Sequence, residues 1–377
     1  MLKSPEKAIM ISVVLLMATG LVFIYSVSGP YSQSKGLSVW YYFLRQGIWA
    51  GLALVVLFIC STLNYRKFLR LSPVFLVGSL LLLLVVLFTP AINNVHRWLR
   101  FGFLWVQPSE IFKISLLMYL AYSFGNKKMN LKDGKKLWPK LVIIGIGLLL
   151  IAKEPDLGTM MLVFLTTALV LFIAGIDIRY LLVAGVMVMV IGCVMVFGFG
   201  YEKDRLNDYI SSLKDPLRTD IPASRSGGYY QTRQSLISIG SGGLAGRGLG
   251  GGCQKNLFLP APHTDFILSA SAEEGGFLFC LYLLSLMLIF SMGTLKIATM
   301  AVDLEGFLLA AGLGSIITFQ AVINIGVALG LLPITGMTLP FFSYGGSSLV
   351  ICSAATGMIL SVARYGRIPK VRFIKAL

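Results

Sequence analysis

Residues 254–275 read QKNLFLPAPHTDFILSASAEEG. A polar, glycine-rich stretch runs here into a hydrophobic segment, and His263, Thr264 and Asp265 stand at the join. The rest of the chain reads as a scaffold that holds this join at a membrane surface.

The 377 residues are 56% hydrophobic and only 13% charged, with a mean hydropathy of +0.83. That much apolar surface does not fit inside one water-soluble core. The apolar residues fall in long blocks instead of alternating, so the expectation is an all-α integral membrane protein and not a membrane barrel. At roughly twenty apolar residues per span there are about ten transmembrane helices. They are placed near 8–27, 46–63, 71–89, 109–125, 141–153, 157–175, 180–199, 266–294, 304–331 and 341–364. The whole of 1–377 is then a single polytopic membrane domain. The N-terminal apolar run lacks a small-residue cleavage site and is read as a retained first span.

The net charge of +16 raises the question of nucleic acid. Most Lys and Arg sit in short loops, however, which is the positive-inside pattern with anionic membrane lipids as the partner. Placing both termini in the cytoplasm puts Lys3, Lys7, Arg66, Lys67, Arg70, Lys127, Lys128, Lys132, Lys135, Lys136, Lys140, Arg179, Lys296 and the basic tail of about 365–377 inside. The outer short loops keep only Lys35, Arg45, Arg97 and Arg100. The count needs 141–153 and 157–175 to be two spans. Lys153-Glu154-Pro155-Asp156 leaves either a tight outward hairpin or one broken helix. The large hydrophilic loop of about 200–264, between spans seven and eight, falls outside, and Gly240–Gly252 holds eight glycines in thirteen residues. A connection this long is a candidate for function.

Charges at apolar boundaries need a reason. Glu110 and Lys113, three apart at a helix start, share one face and form either an internal ion pair or part of a site. Asp156 either caps a helix or works in one. Asp265 lies at an apolar boundary beside a flexible loop rich in Arg and Lys, which suits a general base. Arg247 and the backbone amides around it can approach an anion, but no strand and no Gly-Lys-Ser/Thr precedes them, so a nucleotide loop is not supported. Residues 340–348, Ser347 among them, open the last span with hydroxyls, as helix packing or as substrate contacts. Only His96 and His263 are present, so a zinc site is not expected. Four of the five cysteines lie in apolar blocks, and no disulfide framework is expected.

Arg97-Trp98-Leu99, Gln107-Pro108-Ser109-Glu110, Glu154-Pro155-Asp156-Leu157-Gly158-Thr159, Gln254-Lys255, Leu259-Pro260, His263-Thr264-Asp265-Phe266-Ile267, Pro333-Ile334-Thr335-Gly336 and Phe342–Ser348 occur in this order. Together they resemble the SEDS (shape, elongation, division and sporulation) family. Gly248-Leu249-Gly250 and Thr338–Phe342 are more similar to its division branch, FtsW, than to its elongation branch, RodA. Ala261-Pro262 stands where members often carry a glutamate, so no role is carried over for that glutamate.

The resemblance implies a peptidoglycan glycosyltransferase in the bacterial cytoplasmic (inner) membrane. It would polymerise lipid II, an undecaprenyl-pyrophosphate-linked disaccharide pentapeptide, on the outer face for septal synthesis. Its partners would be a class B penicillin-binding protein transpeptidase and other divisome proteins. Asp265 would be the catalytic acid. Arg97, Glu110, Lys113 and Asp156 would line its cavity, with Arg247, Lys255, His263, Thr264 and Ser347 as further substrate contacts. Pyrophosphate oxygens are hard ligands, so a divalent cation (Mg or Mn) is compatible with this chemistry, though no residue pattern demands one. The alternatives are a lipid II flippase, a RodA-like elongation polymerase and a non-catalytic scaffold. The clustering of candidate residues on one face and the lack of an obvious inverted repeat favour the enzyme.

Overall fold

The computed structural model describes residues 4–90, 96–101, 104–125, 134–198, 203–214, 227–260 and 262–366. Lys127, Lys128, Lys132, the middle of the long polar segment and the tail from Arg367 onward lie outside them. Each of the ten apolar blocks coincides with one helix. They are α1 (Pro5–Ser34), α2 (Tyr41–Thr62), α3 (Tyr65–Val86), α4 (Pro108–Gly125), α5 (Gly134–Lys153), α6 (Leu157–Ile173) and α7 (Ile178–Cys193), which runs on into a π-helical turn at Val194–Gly198. After two further helices, α8 (Lys203–Lys214) and α9 (Gly228–Ser241), come α10 (Ile267–Thr299), α11 (Leu304–Ala328) and α12 (Gly346–Tyr365). Seven of these helices are long and apolar enough to cross a membrane by length and composition alone. The chain is a multi-pass helical membrane protein.

Helix boundaries follow local chemistry. Asn64, Asp156, Asp177 and Asp303 each accept a backbone N–H in the first turn of the helix they precede, satisfying a donor that has no intrahelical partner. α5 and α6 pack on each other across Glu154-Pro155-Asp156, so the tight hairpin is the form this junction takes. At the centre stand α11 and α12, with 67% and 72% of their apolar windows buried inside the protein; α2 has 28% and the α7 span none. A helix apolar all round belongs in a core or in lipid; α11 and α12 take the first place and α7 the second. α2 runs along α12, α1 along α10, and α4 between α3 and α11.

Two parts of the outer architecture are not visible as apolar blocks. Leu99–Phe101 (β1) pairs antiparallel with Leu104–Val106 (β2), placing Arg100 opposite Trp105; the guanidinium lies 4.3 Å from the indole centroid. This short ribbon sets the entry to α4, which begins at Pro108, a residue suited to a first helical turn. The long polar segment contains α8 and α9 and is not an open loop.

The segment expected to cross continuously from 266 to 294 is divided. Gly276, at φ 72° and ψ −171°, breaks α10. Above it, Ile267–Glu274 are buried in protein. Below it, Phe277, Leu278, Leu281, Leu284, Leu288 and Leu295 are exposed as a lipid-facing surface would be. The exposed apolar surface of α10 therefore starts at 277, and Asp265 lies outside that stretch.

A candidate active site at the outer end of α10

The break in α10 leaves carbonyls and amides without helical partners, and the glycine-rich loop supplies them. Arg247 and Gly248 donate their N–H groups to the carbonyls of Glu273 and Glu274, at 3.0 and 2.9 Å. Phe277 and Leu278 donate theirs to Gly243 and Leu244, at 2.9 and 3.1 Å. Only glycine allows this approach. A Cβ on Gly246, which has φ 78°, would lie 2.1 Å from the Glu274 carbonyl oxygen, whereas one on Gly248, at φ 84°, meets nothing within 4 Å. Both Gly→Ala changes incur a left-handed backbone cost of about 1–2 kcal/mol, and Gly246→Ala adds an overpacking cost of ~1–3 kcal/mol. The expected result is a clearly larger fall in thermal midpoint for Gly246→Ala than for Gly248→Ala; equal falls would mean that the loop is not docked on the break.

Side chains tighten the same junction. The buried Glu273 carboxylate accepts from the N–H groups of Cys253 and Gln254, both at 2.9 Å, and meets the Arg247 guanidinium at 3.4 Å. The Glu274 carboxylate accepts from Lys255 Nζ at 2.6 Å and from Ser26 Oγ at 2.7 Å. Residues 255–273 thus form a closed arm, pinned at its base and carrying Asp265 near its middle. Arg247 and Lys255, read from the sequence as substrate contacts, are engaged at this base. The carboxylates they meet, Glu273 and Glu274, lie about two turns into α10, whereas Asp265 precedes its first residue.

At the far end of the arm, Asn324 of α11 donates to the Asp265 carbonyl oxygen at 2.9 Å and to that of Met337 at 2.7 Å. Gln320, one turn earlier on the same face, donates to the Thr338 carbonyl oxygen at 3.0 Å and accepts from Lys113 Nζ at 3.0 Å. Lys113 also pairs with Glu110 at 2.8 Å, and both are buried. Thr338 Oγ1 lies 3.2 Å from Ser348 Oγ, beside Ser347 in the first turn of α12. A polar spine therefore runs from α4 through α11 to the 333–348 turn, and Lys113 acts in it as an internally neutralised support rather than a free cation. Gly336 presses against the acid: a Cβ there would lie 3.8 Å from Asp265 Oδ2.

Asp265 keeps partial solvent access although protein surrounds it. Burial pushes its pKa up to about 6, with Arg205 of α8 and Arg97 pulling it down and Asp156 pushing it up. Arg97 donates to the main-chain oxygens of Glu154 and Pro155 and stands 3.9 Å from Asp156. Asp156 caps α6 through Thr159 N–H at 3.0 Å and accepts from Gln107 at 3.4 Å. Glu154 is fully buried, neither of its carboxyl oxygens has a hydrogen-bond partner, and burial first, then Asp156, pushes its pKa up to about 9. It is a neutral acid at pH 7. The structure thus groups Asp265 with Arg97 and Asp156, and links Glu110 and Lys113 to it through α11. His263 and Thr264 adjoin the acid in sequence; His263 is buried among aromatic rings and burial pulls its pKa down to about 4.

The sequence reading passed over Arg205, Gln320 and Asn324, and quoted Gln107 only as part of a motif. Gln320 and Asn324 carried a signal, two amides four apart in an otherwise apolar helix; Arg205 carried none. Among the described residues no group of three or more His, Cys, Asp or Glu side chains is placed to hold a metal ion, so no chemical step is assigned to one.

A multi-pass helix bundle with a largely enclosed acid just before α10, within the electrostatic reach of Arg97 and Arg205, defines the class. The FtsW/RodA/SpoVE cell cycle protein family matches residues 6–368. The chain is 36% identical over 363 residues to a Geobacter metallireducens protein named probable peptidoglycan glycosyltransferase FtsW, covering 95% of this chain and 94% of that one. It is 34% identical over 369 residues to stage V sporulation protein E of Bacillus subtilis, covering 97% and 98%. Among solved structures, a chain of a peptidoglycan synthase complex described as coordinating polymerization and crosslinking superposes with a TM-score of 0.74 at 28% identity, covering 95% and 97%. The rod shape determining protein RodA of Thermus thermophilus does so with a TM-score of 0.69 at 28% identity, covering 96% and 97%. The chain belongs to the FtsW/RodA/SpoVE family, as the resemblance drawn from its motifs implies.

Proposed function

We infer that the protein is a peptidoglycan glycosyltransferase that polymerises lipid II into glycan strands, in the division branch of its family. The observation that carries this reading is Asp265, a largely enclosed carboxylate of raised pKa in the electrostatic reach of Arg97 and Arg205. Ten spans with both termini in the cytoplasm place that carboxylate on the outer face of the cytoplasmic membrane. There the polyprenyl tail stays in the bilayer and the sugars reach the acid. The chain forms one polytopic domain, with 200–264 outside and the basic tail inside. Its partner is a class B penicillin-binding protein, which crosslinks the strands as they emerge.

In the reaction Asp265 accepts the proton of the acceptor sugar's 4-hydroxyl. The hydroxyl oxygen forms a bond to the donor's anomeric carbon as the bond to pyrophosphate breaks, with inversion. Pyrophosphate leaves as an anion, so one carboxylate base suffices where glycoside hydrolysis uses two. Arg97 and Arg205 stabilise the negative charge that builds on it. The neutral Glu154 adds no repulsion.

The test is incubation of the purified protein in detergent with lipid II, with and without the partner. Glycan strands are expected; movement of lipid II across vesicles without polymerisation would refute the reading. The pH profile supplies a second check. A base works only when deprotonated, and this carboxyl is raised to about 6. The value of kcat/KM is therefore expected to plateau above that pH and to fall tenfold per unit below it. An acid limb that stays in place when Asp265 is replaced by Asn would exclude Asp265 as the base.

A further inference from the structure

Three tyrosine rings surround His263. Tyr42 lies 4.5 Å from the imidazole, Tyr31 5.0 Å and Tyr344 5.6 Å, centroid to centroid. Tyr42 and Tyr344 meet edge to face at 5.0 Å. The rings come from the end of α1, the first turn of α2 and the turn before α12, and Tyr344 N–H donates to the His263 carbonyl oxygen at 2.9 Å, joining that turn to the arm that carries Asp265.

The imidazole is buried and its Nδ1 has no hydrogen-bond partner. A buried polar atom left unpaired is costly and uncommon. The tyrosines, by contrast, are partly exposed, so the cluster is a shallow bowl with an aromatic rim at the surface and one buried polar atom beneath it. Aromatic residues at a membrane interface often form a belt facing lipid. Trp40 and Tyr25, stacked at 4.6 Å and exposed by 51% and 37%, do that here. Tyr31, Tyr42 and Tyr344 turn instead towards one another and towards a residue two positions from the acid.

A pyranose ring matches such a bowl. Its axial C–H groups carry partial positive charge and pack on the negative face of an aromatic ring, while its hydroxyl or acetamido N–H can donate to Nδ1, with the imidazole proton on Nε2, once a tyrosine ring that covers this buried atom swings aside. We propose that Tyr31, Tyr42, Tyr344 and His263 form a carbohydrate subsite that holds a sugar of the glycan strand next to the reacting unit. The proposal rests on the reading of the chain as a glycan polymerase, and assigns Tyr42 as the principal stacking surface and His263 as the hydrogen-bond acceptor.

The test uses chitotetraose, a soluble N-acetylglucosamine tetramer, observed by saturation-transfer NMR on the purified protein in detergent. Transfer to its acetyl and ring protons is expected with the wild type and with Asp265→Asn, and is lost in Tyr42→Ala. Tyr42→Phe, which keeps the ring, restores it and shows that the alanine loss is one of stacking. With lipid II, Tyr42→Ala raises the half-saturating concentration about tenfold, the order of one good aromatic contact, and shortens the strands, with a smaller effect on kcat. Absence of transfer in the wild type, or undiminished transfer in Tyr42→Ala, overturns the subsite. Polymerisation by Asp265→Asn with chitotetraose binding intact would overturn the catalytic reading and leave the subsite standing.

Discussion

Asp265→Asn keeps the shape of the side chain and removes its basicity, and the expected result is a polymerisation rate lower by roughly 10²–10⁴-fold, the contribution of a positioned general base. The backbone hold on this residue does not depend on the carboxylate: Asn324 grips the carbonyl oxygen, and the base of the arm is pinned at Glu273 and Glu274. Expression, thermal midpoint and lipid II binding are therefore expected to stay close to wild type, and the loss to fall on kcat. A rise in KM alone, or a rate within a few-fold of wild type, would move the chemistry elsewhere. Because Asp265 is coupled electrostatically to Arg97, Arg205 and Asp156, a change at any of these also shifts the acid limb of the pH profile.

The second large effect is expected at Lys255. Its ammonium neutralises Glu274, whose side chain is 0% exposed. Removing one partner of a buried pair leaves an uncompensated charge and costs about 3–5 kcal/mol. Lys255→Ala should therefore fold poorly or melt far below wild type. Replacing both partners, Lys255→Met with Glu274→Met, removes both charges at similar volume and is expected to be close to neutral for stability. Thermal melts of the single and double variants decide the matter. If the single change is as mild as the double, the pair does not sit in a low-dielectric interior and the arm is held by its backbone bonds alone.

Much of the bundle was legible because a membrane span must be a long apolar run, and each such run in this chain is a helix. The Lys153–Asp156 junction was left open between two forms, since three residues fit either; what decides it is the packing of α5 on α6. The outer layer was harder to read. α8 is polar on average, and its helical signal lies only in the spacing of Leu206, Tyr209, Ile210 and Leu213. The β-ribbon before α4 is three residues a side, below the length at which alternation stands out. The break in α10 was signalled by Gly275-Gly276 after two glutamates, but the run around them is apolar enough to read through.

The site was legible in part. Asp265 stood out as an acid at an apolar edge, and Glu110 and Lys113 as a pair at helical spacing. The ion pairs of Arg247 and Lys255 were not legible for a physical reason: a cation in a polar loop looks free in sequence, and only the fold brings Glu273 and Glu274 beneath it. Arg205 was overlooked for the converse reason, since its approach to Asp265 depends on how α8 docks. The tyrosine bowl joins four distant segments, and no local pattern announces it.

The discontinuity at Gly276 also separates two mechanical duties within one helix. A bilayer that thickens or thins makes a spanning rod lean to match it, and that lean concerns the lower rod alone. The upper piece takes its bearings from the glycine strap and from α11, so Asp265 is insulated from the lipid bed in which the lower rod is expected to stand.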